Sequence, residues 1–262
     1  PVAWGAAITA TWNRGVTDSW NNVANNAANW SFSTPPATAV FPTNSGGDTF
    51  AVQIDNSGIG NSTVNLNTSV TIDSLGVSGG DTLNFNNSFD MNVAAGTINN
   101  NGAINLTGTS STTDLTLSGV AAAINGTGTI TLGNSTANRI LGTAGNIITQ
   151  AAGHTIQGSG SVLNNVGGFS NQGTIIANQT TALTIDANDT DNFDNTSGTL
   201  RAASSGTLNL NSGTYTNTLG SIEATGVGSV VNLNGNSNIV GGNLTTTGGG
   251  QIRSNINGPA AP

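Results

Sequence analysis

The chain has 262 residues, of which 6% are charged, whereas about 25% are charged in an average soluble protein. It has no lysine and no cysteine, and its four arginines leave a net charge of −8. These counts exclude a disulfide framework and a thiolate metal site, and they argue against binding to nucleic acid. Asn, Thr, Gly and Ser are abundant, but 35% of the residues are hydrophobic and recur at regular intervals, which argues against disorder.

The N-terminal segment, positions 1–60, differs in composition from the rest and is predicted to form a capping or docking segment. All four tryptophans lie there, and all six prolines lie outside the repeats that follow. Three interpretations of the tryptophans stay open, namely a cap on the end of a repeat structure, a platform for stacking carbohydrate, and a docking surface for another subunit. The candidate interface or glycan-binding residues are Trp4, Trp12, Trp20 and Trp30.

The segment 61–253 carries an internal repeat with a period of about 22 residues, in the range typical of solenoids. A Gly followed two positions later by an apolar residue recurs, and a second apolar site lies eight positions after the first. The first set of apolar residues is Ile175, Leu200, Ile222 and Leu244, and the second set is Leu183, Leu208, Val230 and Ile252. Around these sites apolar and polar residues alternate with period two, which is typical of strands. The pattern predicts a parallel β-helix, a β-solenoid of roughly eight coils.

Upstream, the register is less regular. Leu75 and Leu83 keep the spacing of eight, whereas Ile98 with Ile104, Ile124 with Ile130, and Ile156 with Val162 use six. Insertions are expected near residues 107–120 and 133–150. Gly and Asn are expected at the corners between strands, and stacked Asn side chains are expected to hydrogen-bond along the axis as a ladder.

Both ends of the chain are predicted contact segments. Residues 254–262 read as a C-terminal tail or linker, and a solenoid with unpaired strands at both ends can join head to tail into an open filament. Residues Pro1 to Thr9 and Ser254 to Pro262 are the segments expected to make that contact.

The N-terminal motifs resemble those of large exported bacterial β-helix proteins. The residues that carry the resemblance are Thr11-Trp-Asn-Arg-Gly, Asp18-Ser-Trp20, Ala28-Asn-Trp30, Gly47-Asp-Thr-Phe-Ala-Val52, Val70-Thr-Ile-Asp-Ser-Leu75 and the rung Phe169-Ser-Asn-Gln-Gly-Thr-Ile-Ile-Ala177. The family includes autotransporter-passenger-like and filamentous-haemagglutinin-like adhesins and repeat proteins of the PEP-CTERM type. The resemblance implies a right-handed coil outside a bacterial cell that acts in attachment, surface coating or filament formation.

The densest acidic group suggests a hard cation. Asp186, Asp189, Asp191 and Asp194 lie within nine positions, and carboxylates in a loop suit Ca²⁺, although a solvated insertion explains the same residues. No other cofactor is expected. His154, the single histidine, is expected at a turn or facing solvent rather than as a catalytic base.

The leading prediction is a non-enzymatic, extracellular structural protein that forms a bacterial surface filament, sheath or adhesive fibre. Its expected partner is a second copy of itself, with surface glycans as a further candidate, and neither nucleic-acid binding nor membrane insertion is expected. The alternative is a monomeric adhesin or carbohydrate-binding module. A polysaccharide lyase or hydrolase is less favoured, because the acidic residues have no basic residue beside them in the sequence.

Overall fold

A computed structural model describes residues 6–55, 60–188 and 190–255, which form 28 short strands and one four-residue helix. In chain order these are β1 (Ala7–Trp12), β2 (Thr17–Ser19), α1 (Asn26–Asn29), β3 (Trp30–Phe32), β4 (Thr49–Ile54), β5 (Thr63–Leu66), β6 (Val70–Val77), β7 (Thr82–Phe85), β8 (Met91–Asn100), β9 (Ala103–Leu106), β10 (Thr113–Leu117), β11 (Ala123–Asn125), β12 (Thr129–Leu132), β13 (Asn138–Leu141), β14 (Ile147–Gln150), β15 (Thr155–Gly158), β16 (Gly160–Val162), β17 (Gly168–Asn171), β18 (Thr174–Ala177), β19 (Leu183–Ile185), β20 (Phe193–Asp194), β21 (Thr199–Ala202), β22 (Thr207–Leu210), β23 (Gly213–Thr216), β24 (Ser221–Thr225), β25 (Val230–Asn234), β26 (Ser237–Val240), β27 (Asn243–Thr247) and β28 (Gln251–Asn255). The described part of the chain contains no helix long and apolar enough to cross a bilayer.

The strands stack into a parallel β-helix of about nine turns with three faces. The first face is a ten-stranded sheet of β2, β5, β7, β9, β12, β15, β18, β21, β24 and β27. The second face contains β10, β13, β16, β19, β22, β25 and β28, and the third contains β11, β14, β17, β20, β23 and β26. Strands β6 and β8 are longer and contribute to both of these faces.

One inward column of the first face runs the length of the solenoid. Parallel pairing places these side chains directly above one another, about 4.8 Å apart. Its apolar members are Val64, Leu83, Ile104, Ile130, Ile156, Ile175, Leu200, Ile222 and Leu244. All of them are buried except Leu244 in the last coil, which is 49% exposed. Each coil therefore depends on the next one to keep its apolar side chain from water.

The side chains of a second inward column of the first face become smaller along the axis, and larger side chains on the third face fill the space. The column holds large residues up to Leu132 and then small ones, beginning with Gly158. The coils with small residues carry a buried aromatic stack on the third face. Phe169 and Phe193 stack with ring centroids 5.4 Å apart, and Tyr215 follows at 5.5 Å. Large side chains on one face thus fill the space that small side chains on another leave, which keeps the interior close-packed.

A buried amide ladder runs along the corner between the third and first faces. The amide nitrogen of Asn171 donates to Oδ1 of Asn195 at 2.7 Å, and the amide nitrogen of Asn195 donates to Oδ1 of Asn217 at 2.6 Å. All three side chains have no exposed surface. The predicted asparagine ladder is therefore confirmed at this corner.

The glycines of the repeat lie against this ladder. A Cβ on Gly198 would lie 2.4 Å from the carbonyl oxygen of Asn171, and one on Gly220 would lie 2.1 Å from that of Asn195. Neither distance is tolerable for a real Cβ contact, so these positions require glycine for space. The recurrent glycine and the asparagine ladder are consequently two parts of one corner.

The predicted fold class is confirmed, with small corrections to the repeat. The register aligns Ile175, Leu200, Ile222 and Leu244 as expected. Coil length varies along the first face, and the long steps, from position 103 to 129 and from 129 to 155, coincide with the expected insertions. The prediction for Val230 was wrong by one position, because its neighbour Val231 points inward and is buried, whereas Val230 is half-buried.

Most of the upstream apolar pairs span different faces from those downstream. Ile98 and Ile124 lie on the third face and pair with each other, whereas Ile104 and Ile130 lie in the first-face column. For these two pairs the spacing of six is the step from the third face to the first, whereas Ile156 and Val162 lie on the first and second faces. The spacing of eight downstream is the step from the first face to the second, as from Ile175 to Leu183.

We predict that Asn195→Ala lowers the free energy of unfolding by about 3 kcal/mol, because it leaves the amide of Asn171 without its acceptor and the carbonyl of Asn217 without its donor inside the protein. Asn209→Ala is the matched control. The side-chain oxygen of Asn209 also accepts a hydrogen bond along the axis, from the amide nitrogen of Asn232 at 2.9 Å. Because Asn209 is half-buried on the outer surface, we expect its replacement to lower the free energy of unfolding by less than about 1 kcal/mol. Urea unfolding followed by circular dichroism measures both. Equal losses for the two variants would contradict a special role for the buried ladder.

Candidate association sites at the two ends of the solenoid

Three tryptophans form a buried cluster at the N-terminal end. The rings of Trp12 and Trp30 pack edge to face with centroids 5.0 Å apart, and those of Trp20 and Trp30 do so at 4.9 Å. Each indole N–H donates to a backbone carbonyl, namely that of Arg14, Pro42 or Trp20. The cluster is therefore a satisfied piece of core at the end of the solenoid.

This burial bears on the three interpretations of the tryptophans. Trp12 and Trp20 have no exposed surface and Trp30 is 2% exposed, so their ring faces are not available to stack on a sugar or a partner subunit. Trp4 lies outside the described residues. The geometry of the other three fits a cap.

The N-terminal edges of the solenoid are covered or short. On the third face, β1 pairs in parallel with β4 on one side and is covered by the antiparallel strand β3 on the other. On the first face, the end strand β2 has only three residues and pairs with β5. Short end strands and an antiparallel cover are ways in which proteins protect sheet edges from further pairing.

Asp18 occupies the first-face inward column at this end. It lies in register with the buried Val64, where every following coil has an apolar residue. Burial acts to raise the pKa of Asp18, but hydrogen bonds from the side chains of Asn22, Asn29 and Asn25 and from the backbone of Ser19 outweigh it and lower the pKa. The column therefore ends in a carboxylate that is only 12% exposed and lies 3.6 Å from the guanidinium of Arg14, at a position where a stacked coil would meet a charge and not an apolar residue.

The cap also carries an apolar surface depression of about 490 Å³. It is lined by Val23, Asn26, Ala27, Trp30, Phe32, Pro36, Ala39 and Val40. Val23 and Val40 at its rim are 89% and 62% exposed. Two of the lining residues, Trp30 and Phe32, belong to β3, the strand that covers the edge of β1.

The C-terminal coil is open. Within the described residues, β26, β27 and β28 each pair with the preceding coil, through β23, β24 and β25, and with no following strand. The inward residues Ile239 and Ile252 are only partly buried, and Leu244 is half exposed. None of the described inward positions of this coil holds a charged residue. Within the described residues the two ends of the solenoid thus differ: the first coil is covered, and the last coil has no strand after it.

Two of the acidic residues proposed for Ca²⁺, Asp186 and Asp194, line separate surface depressions. Asp186 lies in a surface depression with Asn165 and Asn211, whereas Asp194 lines a separate one with Gln172. Asp189 lies outside the described residues. Among the residues that are described, no group of three or more His, Asp or Glu side chains is arranged to hold a metal ion.

The structure brings together one acidic pair that the sequence analysis did not recognise. Asp90 and Asp114 lie on successive coils of the second face, and the backbone N–H of Asp114 donates to Asp90 at 2.8 Å. Arg139, one coil further on, binds both oxygens of Asp114 at 2.7 and 2.5 Å. Burial is the main cause that raises the pKa of Asp90. The register of the coils could have revealed this group, because it places Asp114 beside Asp90 in the coil before and beside Arg139 in the coil after.

This pair does not make a glycosidase site as it stands. Glycoside hydrolysis needs a protonated carboxyl and a second, free carboxylate facing the same bond. Asp90 has the raised pKa of an acid, but both oxygens of Asp114 are held by Arg139. The arrangement is that of an ion pair across neighbouring coils.

His154 closes a turn with Ala151, as one of the two expectations had it, but it is buried at the amide-ladder corner and does not face solvent. Its ring lies between two side-chain amide nitrogens, that of Asn100 at 3.1 Å from Nε2 and that of Gln150 at 3.5 Å from Nδ1. Burial lowers the pKa of His154 to about 4. Amide NH₂ groups are donors, so a protonated ring with two N–H donors would find no acceptor in either neighbour.

His154 predicts a pH dependence of stability. Because the pKa falls from 6.5 in the unfolded chain to about 4 in the folded one, the unfolded chain binds a proton that the folded protein excludes. Stability is therefore complete above pH 6.5 and falls by about 3 kcal/mol as the pH drops to 4. Urea unfolding at pH 7.5, 5.5 and 4.2 measures this, and His154→Gln is the control that should flatten this part of the profile. An unchanged profile in the variant would contradict the assignment.

Comparisons with protein-family models, with curated proteins and with solved structures found no match to this chain. The fold, the closed N-terminal end and the open C-terminal coil are therefore the observations from which a function can be argued.

Proposed function

We propose that the protein is a non-enzymatic structural β-solenoid of a bacterial cell surface, and that it forms longer rods by self-association at its open end. The observation that carries this proposal is the last coil. Its three strands have unpaired outer edges within the described residues, and of its apolar inward side chains Leu244 is half exposed and Ile239 and Ile252 are only partly buried. An exposed edge with apolar residues is a template for pairing with another chain.

The interior supports a structural role. The ladder amides, the aromatic stack and the tryptophan cluster all bond or pack within the protein. The acidic pair Asp90 and Asp114 is held by an arginine. These polar side chains join coil to coil, which supports a structural role.

The composition supports the surface location. The chain has only four arginines and no lysine, so it offers few sites to trypsin-like proteases. With 6% charged residues, like charges seldom repeat from one coil to the next. The resemblance to exported bacterial β-helix proteins points the same way, towards attachment, coating or fibre formation outside the cell.

The test is the size of the particles in solution and in electron micrographs. One solenoid of ten stacked first-face strands is about 43 Å long. We expect particles longer than this at micromolar concentrations, and light scattering should give a mass above that of one chain. Leu244→Asp should reduce association at least tenfold, because it places a charge in the apolar end of the column.

Val120→Asp is the matched control, since Val120 is 98% exposed in the middle of the solenoid and should leave association unchanged. Single rods of one-chain mass at every concentration would overturn the proposal that the protein self-associates.

A second candidate function, carbohydrate binding, is favoured by the outer surface of the first face. Threonines stand in register along one outward column, at positions 63, 82, 129, 155, 174 and 199, and Ala103 interrupts this column between positions 82 and 129. Such a row of hydroxyl groups on a nearly uncharged sheet suits weak hydrogen bonding to an extended glycan. This function corresponds to the alternative predicted from the sequence, a monomeric adhesin or carbohydrate-binding module.

Polysaccharide pull-down tests this candidate. The triple variant Thr129→Val, Thr155→Val, Thr174→Val removes three hydroxyls and keeps the side-chain shape, so glycan binding should fall at least fivefold. Thr116→Val with Thr184→Val on the second face is the control and should bind normally. If the unmodified protein retains no polysaccharide, or if the triple variant binds as well as the control, this candidate is wrong.

A further inference from the structure

We infer that the partner at the open C-terminal coil is the same coil of a second copy, joined about a two-fold axis that passes through the first face. This inference rests on the proposed self-association and specifies its geometry. It differs from the head-to-tail contact predicted from the sequence, in which the last coil would meet the N-terminal end of the next copy.

The N-terminal end is a poor acceptor for head-to-tail stacking. If the first-face sheet continued from β27 into β2 of another copy, the register would set Leu244 against Asp18. That contact sets a carboxylate against an apolar side chain, where it offers Leu244 no apolar cover. The carboxylate is already bound by amides and lies 3.6 Å from Arg14. On the third face, the antiparallel strand β3 already covers the edge of β1.

The last first-face strand is compatible with its own copy. A two-fold axis through Thr245 pairs β27 with itself in an antiparallel arrangement. Leu244 of each copy then lies opposite Thr246 of the other, and Asn243 lies opposite Thr247. All five residues of the strand are uncharged and exposed, so this pairing buries no unpaired charge. It also supplies backbone partners to an edge that has none within the described residues.

The other two faces exchange across the same axis. A two-fold rotation that keeps the first face on itself sets β26 of one copy against β28 of the other. Ile239 and Ile252, which are partly buried inward residues, then come from opposite copies to the same side of the interface. Arg253 is the only charged residue from 237 to 255, and this exchange keeps it away from its own symmetry mate. Like charges directly opposite each other would destabilise the pair.

A two-fold contact closes on itself, unlike a head-to-tail one. The expected product is a rod of two chains, with a closed tryptophan cap at each end. Its solenoid length is about twice that of one chain, or roughly 90 Å.

Cysteine cross-linking tests the geometry, because the natural chain has no cysteine. Thr245→Cys places one thiol at the proposed axis, on the outer surface. We expect a single covalent dimer after mild oxidation or treatment with a short bismaleimide. Ser19→Cys, at the N-terminal edge, and Thr131→Cys, in the middle of the same face, are the controls and should remain monomeric on denaturing gels.

A mixture of the Ser19→Cys and Thr245→Cys proteins distinguishes the two contacts. Head-to-tail stacking would set residue 245 beside residue 19, so cross-linking between the two variants without the Thr245→Cys homodimer would overturn the two-fold arrangement. A covalent dimer that is as abundant for Thr131→Cys as for Thr245→Cys would also overturn it, since random collision would then explain both.

Light scattering separates failure of this inference from failure of the proposed function. A monomer at every concentration, with no cross-linking of any variant, contradicts self-association and the two-fold contact together. A multimer that cross-links only between residues 19 and 245 contradicts the two-fold contact and leaves self-association standing.

Discussion

The structure depends on the parallel stacking of coils about 4.8 Å apart, because each coil obtains its hydrogen-bond partners and its apolar cover from the coils above and below. The corners are where this stacking is most demanding, since a tight bend must still satisfy its polar groups. Asn171, Asn195 and Asn217 do so by bonding to one another inside the protein, and Gly198 and Gly220 leave them the room. The high Asn and Gly content of the chain is in part a consequence of this corner.

The same dependence makes the ends of the solenoid the parts most open to association. At the N-terminal end the chain covers its own end coil with an antiparallel strand and a tryptophan cluster, and the apolar column ends in a carboxylate. At the C-terminal end the last described coil keeps the same inward pattern as the coils before it, and Leu244 remains half exposed. The difference between the ends, more than any pocket, is the basis of the functional proposal.

The sequence predicted the architecture well because a buried column needs an apolar residue at the same point of every coil, and Ile175, Leu200 and Ile222 are easily seen as a series. The third face was missed, since its inward positions mix aromatic, aliphatic and amide side chains such as Phe193 and Asn195. The ladder asparagines look like any of the 40 in the chain. The pairing of Asp114 with Arg139 and the burial of His154 depend on coil length, which varies along the solenoid and cannot be read from local spacing.

Hydrogen exchange followed by mass spectrometry tests the central claim, that one end is closed and the other open, most directly. In dilute protein we expect the slowest exchange in the middle coils, slow exchange in β1 and β4 under the cap, and the fastest exchange of the paired strands in β27 and β28. Raising the protein concentration should slow exchange in the last coil alone. Exchange in β1 as fast as in β28, or a last coil that is already protected in the monomer, would contradict the account.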